Sequence, residues 1–287
     1  MDYKMSYPQQ YKGSVPPRLI CGYDNLNDRL REIGTNDCGF MYTMTFNECI
    51  ALGCLPDRRV WSKIGYNPSV GTAEELIWPV GGTYTWPSST MGMEVISVSA
   101  DDDVTGTGVQ KVQINYLDDA YAEKSEVVEM DGTTAVATDA TDIFRIQSFR
   151  AYQVGTGGVA ANAISLRHLG DTPIYSQIEQ GYTRARNITY TVPADYELHI
   201  TSITASVYGA TKGIRITTRA NYDTNRTGTL LSFFMPYTEI AITNGYAYRP
   251  LEFPTKFPTG VRIMVTGKAD QDGAVCAVAL RGWLEPA

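Results

Sequence analysis

Two runs of aspartate are the residues whose type and spacing come nearest to a chemical site. Asp101, Asp102 and Asp103 are consecutive, and Asp118 and Asp119 follow one predicted strand later. Ca²⁺ prefers several carboxylates that converge at a loop, so these residues could hold calcium. They are equally typical of solvated turns, because Asp side chains hydrogen-bond to nearby backbone, and they lack the Asp-x-Asp-x-Asp-Gly spacing of a calcium-binding loop. Both interpretations stay open at this point.

Few other side chains could perform catalysis. The chain has two histidines, His168 and His199, which fall in different predicted modules. His199 alternates with apolar neighbours, which predicts a side chain that points off the core face into solvent. Asp118 and Glu126 could act as paired glycosidase carboxylates, although the sequence does not fix their separation. No Gly-x-Ser-x-Gly elbow, phosphate loop or dinucleotide fingerprint is present, so we expect no enzyme, no catalytic residues and no cofactor.

Cysteine usage argues against a metal centre. The five cysteines are Cys21, Cys38, Cys49, Cys54 and Cys276. A structural zinc site normally uses closely spaced Cys pairs or nearby His, and neither occurs here. We therefore expect free, buried thiols and no metal.

Three aromatic residues could bind sugar. Trp78, Tyr84 and Trp86 lie close together in the chain, and exposed aromatic faces stack on carbohydrate rings. The same residues could equally be core aromatics.

Composition limits the class of partner. The 287 residues are 43% hydrophobic and only 19% charged, with 19 tyrosines, which favours wide half-buried sheets or subunit contacts. The formal net charge of −7 argues against binding to nucleic acid, which needs clustered Lys and Arg. No stretch approaches the roughly 20 apolar residues of a membrane span, and the start does not resemble a secretory signal. We expect synthesis in a cytoplasm, with neither nucleic acid nor membrane as a partner.

After about residue 75 the pattern predicts a mainly β protein. Short alternating runs are separated by Gly, Asp, Asn and Pro turns, as in residues 109–116, where Val112 and Ile114 alternate with Lys111 and Gln113. We predict two antiparallel, jelly-roll-like β-sandwiches at residues 65–180 and 181–287. A two-residue Asp131-Gly132 turn is predicted to join residues 125–130 and 133–138 as a hairpin, with Gly supplying a positive φ.

Residues 1–64 differ and are predicted to form an N-terminal arm. Residues 3–17 are rich in Pro, Gln and Tyr and should be extended. Leu26, Leu30 and Ile33 have helical spacing before Gly34, and a capping box at Thr45 predicts a second short helix ending at Gly53. Such short helices need a partner for stability, so the arm is predicted to anchor the chain to a neighbour.

Many short segments resemble a family of virion structural proteins of tailed bacteriophages, many of them marine. They include WSKIGYNP at 61–68, ELIW at 75–78, GGTYTWP at 81–87, SADD at 99–102, GTG at 106–108, LDDAYAEKSE at 117–126, MDGTTAV at 130–136, YTVPA at 190–194 and LEFP at 251–254. The resemblance covers about residues 61–287 and contains no signature for a reaction. It implies a β-rich protein carried on the virus particle.

The resemblance and the composition lead to the same expectation about function. We expect a non-enzymatic structural component of a bacteriophage particle, assembled in the host cytoplasm, that decorates the capsid or acts as a head, tail or fibre adaptor. Its expected partners are other virion proteins, such as the major capsid, portal, tail or fibre proteins, and further copies of itself in a trimer or symmetric ring. The alternative is a receptor- or carbohydrate-binding module of a phage fibre.

Overall fold

The computed structural model describes residues 21–24, 29–32, 55, 57–209, 213–222 and 235–287, and the chain divides into two compact units, 1–56 and 57–287. The described residues form eighteen β-strands and no helix. The strands are β1 (Cys21–Asp24), β2 (Arg29–Glu32), β3 (Arg59–Val70), β4 (Glu75–Leu76), β5 (Met93–Ser97), β6 (Val109–Leu117), β7 (Glu123–Glu129), β8 (Val136–Ala137), β9 (Arg145–Val154), β10 (Ile164–His168), β11 (Ile174–Ile178), β12 (Thr189–Thr191), β13 (Tyr196–Tyr208), β14 (Ile214–Asn221), β15 (Met235–Ile242), β16 (Gly245–Phe257), β17 (Arg262–Ala269) and β18 (Ala274–Pro286).

In the first unit, the predicted helix over residues 25–33 is wrong. Strand β2 occupies residues 29–32 and pairs antiparallel with β1. Asn25, Asn27 and Asp28 lie between the two strands in the sequence. Asn and Asp are weak helix formers because their side chains compete for backbone hydrogen bonds, so the apolar spacing alone was a weak indication of a helix. The predicted extended stretch and the predicted helix from Thr45 lie outside the described residues.

The second unit contains two β-sandwiches in which every strand pair is antiparallel, which confirms the predicted fold class. In the first sandwich, sheet 1 has the order β11-β10-β5-β8 and faces sheet 2, with the order β7-β6-β9. In the second, sheet 3 has the order β12-β17-β14-β15, with β4 also paired to β17, and faces sheet 4, with the order β16-β13-β18-β3. Each pair of sheets encloses its own apolar core.

The alternation of apolar and polar residues along the strands determines which side chains form these cores. On β6, Val112 and Ile114 are fully buried while Lys111 and Gln113 lie on the opposite, half-buried face, as predicted. On β18, Cys276, Val278 and Leu280 enter the core of the second sandwich. Burying side chains of this size contributes about 1.5–3 kcal/mol each, so the alternating residues fix which face of each strand points inward.

Strands β3 and β4 belong to the second sandwich although they precede the first in the chain. Strand β3 pairs with β18, and Trp61, Leu76 and Tyr84 pack in the core of the second sandwich. The first sandwich, whose core residues run from Met93 to Ile178, is thus inserted between two parts of the second. As domain boundaries, residues 1–64, 65–180 and 181–287 stay predictions.

The predicted Asp131-Gly132 hairpin is wrong, although Gly132 does have a positive φ of 54°. Strand β7 pairs with β6 in sheet 2, whereas β8 pairs with β5 in sheet 1. The segment that contains Gly132 therefore connects a strand of sheet 2 to a strand of sheet 1, and the Met130 side chain that precedes it is buried. The Gly132 amide donates to the Asp102 carbonyl over 2.9 Å, so tertiary contacts replace the expected hairpin ladder.

Candidate functional site

The aspartates of the first run separate into different structural roles. Asp102 is fully buried, and its carboxylate accepts hydrogen bonds from the Ser97 hydroxyl (2.6 Å) and from the amides of Val109 (2.8 Å), Ala161 (2.9 Å) and Asn162 (3.2 Å). These donors use the carboxylate that a calcium ion would need. Asp102 instead joins β5, β6 and the segment before β10 at one end of the first sandwich.

Asp103 has a local role. Its Oδ1 atom accepts hydrogen bonds from the amide and the hydroxyl of Thr105, at 2.9 and 2.8 Å. The backbone and hydroxyl hydrogen bonds from Thr105 lower the pKa of the Asp103 carboxyl. These local hydrogen bonds are those expected of an aspartate in a turn.

The proposed glycosidase pair is also occupied by structural contacts. Asp118 accepts hydrogen bonds from the amides of Ala120 (2.9 Å) and Ala122 (3.0 Å) and contacts Lys124 Nζ at 3.0 Å. Burial raises the pKa of Asp118, but the Lys124 ammonium and the two amides outweigh it and lower the pKa overall. A glycosidase acid requires a raised pKa, so Asp118 is unsuited to that role.

The three candidate sugar-binding aromatics are core residues or are covered. Trp78 and Tyr84 are 3% and 7% exposed and pack edge to face at a centroid distance of 5.2 Å. Trp86 is half-buried, and the buried guanidinium groups of Arg145 and Arg262 lie 5.8 and 5.7 Å from its ring centroid. We infer that these aromatics stabilise the second sandwich and leave little ring surface for a ligand.

The two histidines lie in different sandwiches, as predicted. His168 ends β10, with its Nδ1 atom 2.6 Å from the Leu169 carbonyl oxygen. His199 lies on β13 and points away from the core, but the prediction that it faces solvent is wrong, because its side chain is only 14% exposed. It stacks on Trp283 with a centroid distance of 4.9 Å and an interplanar angle of 4°.

Of the cysteines, Cys276 is free and fully buried, as predicted for the thiols. Burial raises the pKa of the Cys276 thiol to about 12, so it stays protonated and unreactive. Cys38, Cys49 and Cys54 lie outside the described residues.

The outer face of sheet 4 is the most distinctive exposed surface of the described residues. One half of it, here called the tyrosine face, consists of Ile64, Tyr66, Thr204, Ser206, Tyr208, Tyr246, Tyr248, Val275, Ala277 and Ala279. Cross-strand pairing aligns Tyr246 with Ser206 and Ala277, and Tyr248 with Thr204 and Ala279. Tyr246, Tyr248 and Tyr208 are 68%, 56% and 52% exposed, and no member of this face carries a charge.

A shallow hollow lies within the tyrosine face. It has a volume of about 120 Å³ and is lined by residues that include Ile64, Tyr246, Ala277 and Ala279. Small alanines at the centre with larger residues around them leave room for a partner's side chain. Exposed aromatic residues around an uncharged centre are typical of protein interfaces.

The other half of the same face is charged. Glu197, His199 and Glu285 offer ligand atoms that all lie within 4.8 Å of one another, and Lys256 and Arg58 form ion pairs with the two glutamates. Sequence reasoning missed this cluster because Glu197 and Glu285 are adjacent only through the pairing of β13 with β18.

A polar cavity lies where the two sandwiches meet in the second unit. Its volume is about 420 Å³, and Lys63, Gln147, Arg150 and Asn187 are among its lining residues. Lys63 is half-buried, and its ammonium donates a hydrogen bond to the Gln147 carbonyl. Burial in this cavity lowers the pKa of Lys63 to about 8.

The lowered pKa of Lys63 predicts a pH dependence of stability. The folded-state pKa of about 8 lies below the ordinary value of 10.5, so the unfolded chain binds more protons between these values. The penalty for burying the charged ammonium is complete below about pH 8 and disappears as the pH rises toward the unfolded pKa. Wild type should therefore gain up to about 3 kcal/mol of stability relative to Lys63→Met between neutral and strongly alkaline pH. Urea unfolding of both proteins across that range measures this difference, and parallel pH profiles would contradict the assignment.

Comparisons with known proteins add little to this geometry. No protein-family model matches the chain, and no curated protein matches it by sequence. Among solved structures, the infectious bursal disease virus VP2 subviral particle aligns over 80% of this chain and 72% of that chain, with 8% identity and a TM-score of 0.20. The T13 viral particle of the same virus aligns over 84% of this chain and 78% of that chain, with 12% identity and a TM-score of 0.16. These TM-scores are too low to support any inference. In the described part of the chain, no helix is long and apolar enough to cross a membrane.

Proposed function

We propose that this chain is a non-enzymatic structural protein of a virus particle, a bacteriophage particle in particular. The uncharged, tyrosine-rich outer face of sheet 4 carries the proposal, because it is built like a protein-binding surface. The segment-by-segment resemblance to phage virion proteins over residues 61–287 supports the particle context. Asp102 and Asp118 contribute structural hydrogen bonds.

The tyrosine face is suited to binding because its tyrosines lose little conformational freedom when they are covered. A Tyr side chain has two principal torsions and supplies a large rigid surface, so binding orders few additional degrees of freedom. Tyr246 and Tyr248 project from the same side of β16, beside the hollow. A partner that covers both tyrosines gains apolar contact without desolvating any charge on this face.

The partners proposed for this face are other virion proteins or further copies of the chain, in a trimer or symmetric ring. In the phage context the protein decorates the capsid or joins head, tail or fibre components. The formal charge of −7 makes copies repel one another in general, so close association is favoured where the surface carries no charge.

The proposal predicts that Tyr246→Ser combined with Tyr248→Ser weakens assembly at least tenfold. Interface tyrosines at the centre of a contact often contribute about 2 kcal/mol, which corresponds to a roughly 30-fold change in affinity. Virions grown with the variant should carry correspondingly less of the protein, measured by quantitative mass spectrometry of purified particles. Light scattering should show a parallel loss of self-association if copies bind each other through this face.

Tyr152→Ser is the matched control, because Tyr152 is 61% exposed but lies on β9 in the first sandwich. It should assemble like wild type. Equal particle occupancy for the double variant and the control would refute the role of the tyrosine face. Absence of the wild-type protein from purified virions would refute the particle function itself.

The second candidate function is a receptor- or carbohydrate-binding module, and the polar cavity favours it. Its volume falls within the usual range for small-ligand sites, and amides and guanidinium groups line it. Trp61 and Tyr190, at its wall, pack edge to face at 5.0 Å and are buried, so they offer no free ring for a sugar. Glycan-array binding that is lost in Arg150→Ala would support this function over the structural one.

A further inference from the structure

The charged half of the outer face of sheet 4 contains three side chains that can coordinate one metal ion. Glu197 and His199 are two residues apart on β13, so they point to the same side of the sheet. Glu285 lies on β18 directly opposite Glu197. From these residues we infer that Glu197, His199 and Glu285 bind one divalent transition-metal ion, with Zn²⁺ as the representative ligand.

The donor set matches this class of ion. One imidazole nitrogen and two carboxylate oxygens are ligands that Zn²⁺ accepts, and three protein ligands leave a further position for water. The three donor atoms lie within 4.8 Å of one another. Tetrahedral zinc with bonds of about 2.0–2.1 Å separates its ligands by about 3.3 Å, so small side-chain rotations bring them to coordination distance.

The state of the His199 ring is the second observation that indicates a ligand. Its Nε2 atom is buried and makes no hydrogen bond of acceptable geometry, although it lies 2.9 Å from Glu285 Oε1. The contact is close but misaligned, so this nitrogen retains an unsatisfied bonding direction. A metal ion between Nε2 and the carboxylates would supply the missing partner.

The surrounding side chains hold the ligands in place without using all of their oxygens. Arg58 Nε lies 2.7 Å from Glu285 Oε2, and Trp283 Nε1 donates to the same oxygen over 3.4 Å. Lys256 Nζ lies 2.5 Å from Glu197 Oε2. The cations therefore contact the Oε2 atoms, whereas the Oε1 atom of Glu285 faces His199 Nε2, its fellow ligand in the proposed site.

Position in the sheet favours a preformed site. Strands β13 and β18 are the two central strands of sheet 4 and pair along their whole length, so the ligand backbone is held firmly. Stacking on Trp283 fixes the plane of the His199 ring. Two directly opposed carboxylates repel each other, and a bound cation would add to the neutralisation that Arg58 and Lys256 supply.

Nuclear magnetic resonance of the full-length wild-type protein tests the site, because the chain has only two histidines. Addition of one equivalent of ZnCl₂ should shift the ring signals of His199, and MnCl₂ should broaden them beyond detection. The ring signals of His168 should not change. Unchanged His199 signals at saturating zinc would overturn the proposal, and this readout does not depend on the folding of any variant.

Zinc stoichiometry gives an independent test. The cysteines of the chain could bind zinc themselves, so the informative quantity is the difference between variants. His199→Gln and Glu285→Gln should each bind one equivalent less than wild type by titration calorimetry, whereas the matched control His168→Gln should bind the wild-type amount. Equal zinc binding by His199→Gln and His168→Gln would overturn the site. Melting curves in EDTA establish that each variant is folded before it is titrated.

Discussion

Asp102→Ala is expected to destabilise the first sandwich more than any other single carboxylate substitution in it. The change leaves the buried Ser97 hydroxyl, the buried Val109 amide and the partly buried amides of Ala161 and Asn162 without their acceptor. Each buried donor left without an acceptor costs about 1–3 kcal/mol, so the loss of this acceptor should cost about 3–5 kcal/mol in total. The melting temperature should therefore fall by on the order of 10 °C. The melting temperature of Asp102→Asn should lie between those of Asp102→Ala and wild type, because the amide oxygen of Asn still accepts hydrogen bonds.

Asp103→Ala is the control for this prediction. Asp103 is next in sequence, but its carboxylate makes exposed, local hydrogen bonds to Thr105, so the expected loss is about 1 kcal/mol or less. Chemical denaturation of the three variants compares them directly. A melting temperature of Asp102→Ala within a degree or two of that of Asp103→Ala would show that Asp102 does not hold the strands together.

Gly282→Ala should lower the stability of the protein more than Asp102→Ala does. Gly282 lies on β18 opposite a β-bulge in β13, and a Cβ atom there would lie 1.8 Å from the backbone oxygen of His199. The obstacle is backbone in the middle of sheet 4, so no side-chain rotation relieves it. We expect a loss above about 4 kcal/mol, seen as insoluble protein or a much lower melting temperature.

Gly71→Ala provides the matched control for Gly282. A Cβ atom at Gly71 would meet its nearest neighbour at 3.4 Å, an ordinary van der Waals contact. This variant should therefore be soluble and melt close to wild type. If Gly282→Ala behaved in the same way, the close approach of β18 to β13 would be disproved.

Strand positions in the second unit could be predicted from the sequence, because alternation along a strand is a local property. Val112 and Ile114 on β6 and the apolar residues of β18 are buried as their spacing requires. The hairpin prediction failed because it concerned which strands pair with each other. The Gly132 turn has the conformation that its sequence implies, yet β7 and β8 join different sheets, and local sequence carries no information about that choice.

The candidate sites were even less accessible to sequence reasoning. The tyrosine face combines residues of four strands, and its uncharged character emerges only from the pairing of Tyr246 with Ser206 and Ala277. The orientation of His199 could be predicted from alternation, but Trp283, which covers it, lies far away in the sequence. A register shift between Ile200 and Ser202 further alters which residues face outward, and no sequence signal marked it.

The insertion of one sandwich within the other has a consequence for synthesis on the ribosome. Residues 93–178 contain the strands of sheets 1 and 2, so this sandwich can form while later strands are still being translated. Strand β3 cannot pair until β18 has been synthesised, because β18 is its partner in sheet 4. The ion-paired residues Arg58 and Glu285 are likewise 227 positions apart. Until β18 emerges, β3 and β13 each lack a neighbour and expose unpaired backbone to other nascent chains. Slow translation of the codons for β14 to β18 would lengthen that interval, so codon choice there can affect the yield of folded protein.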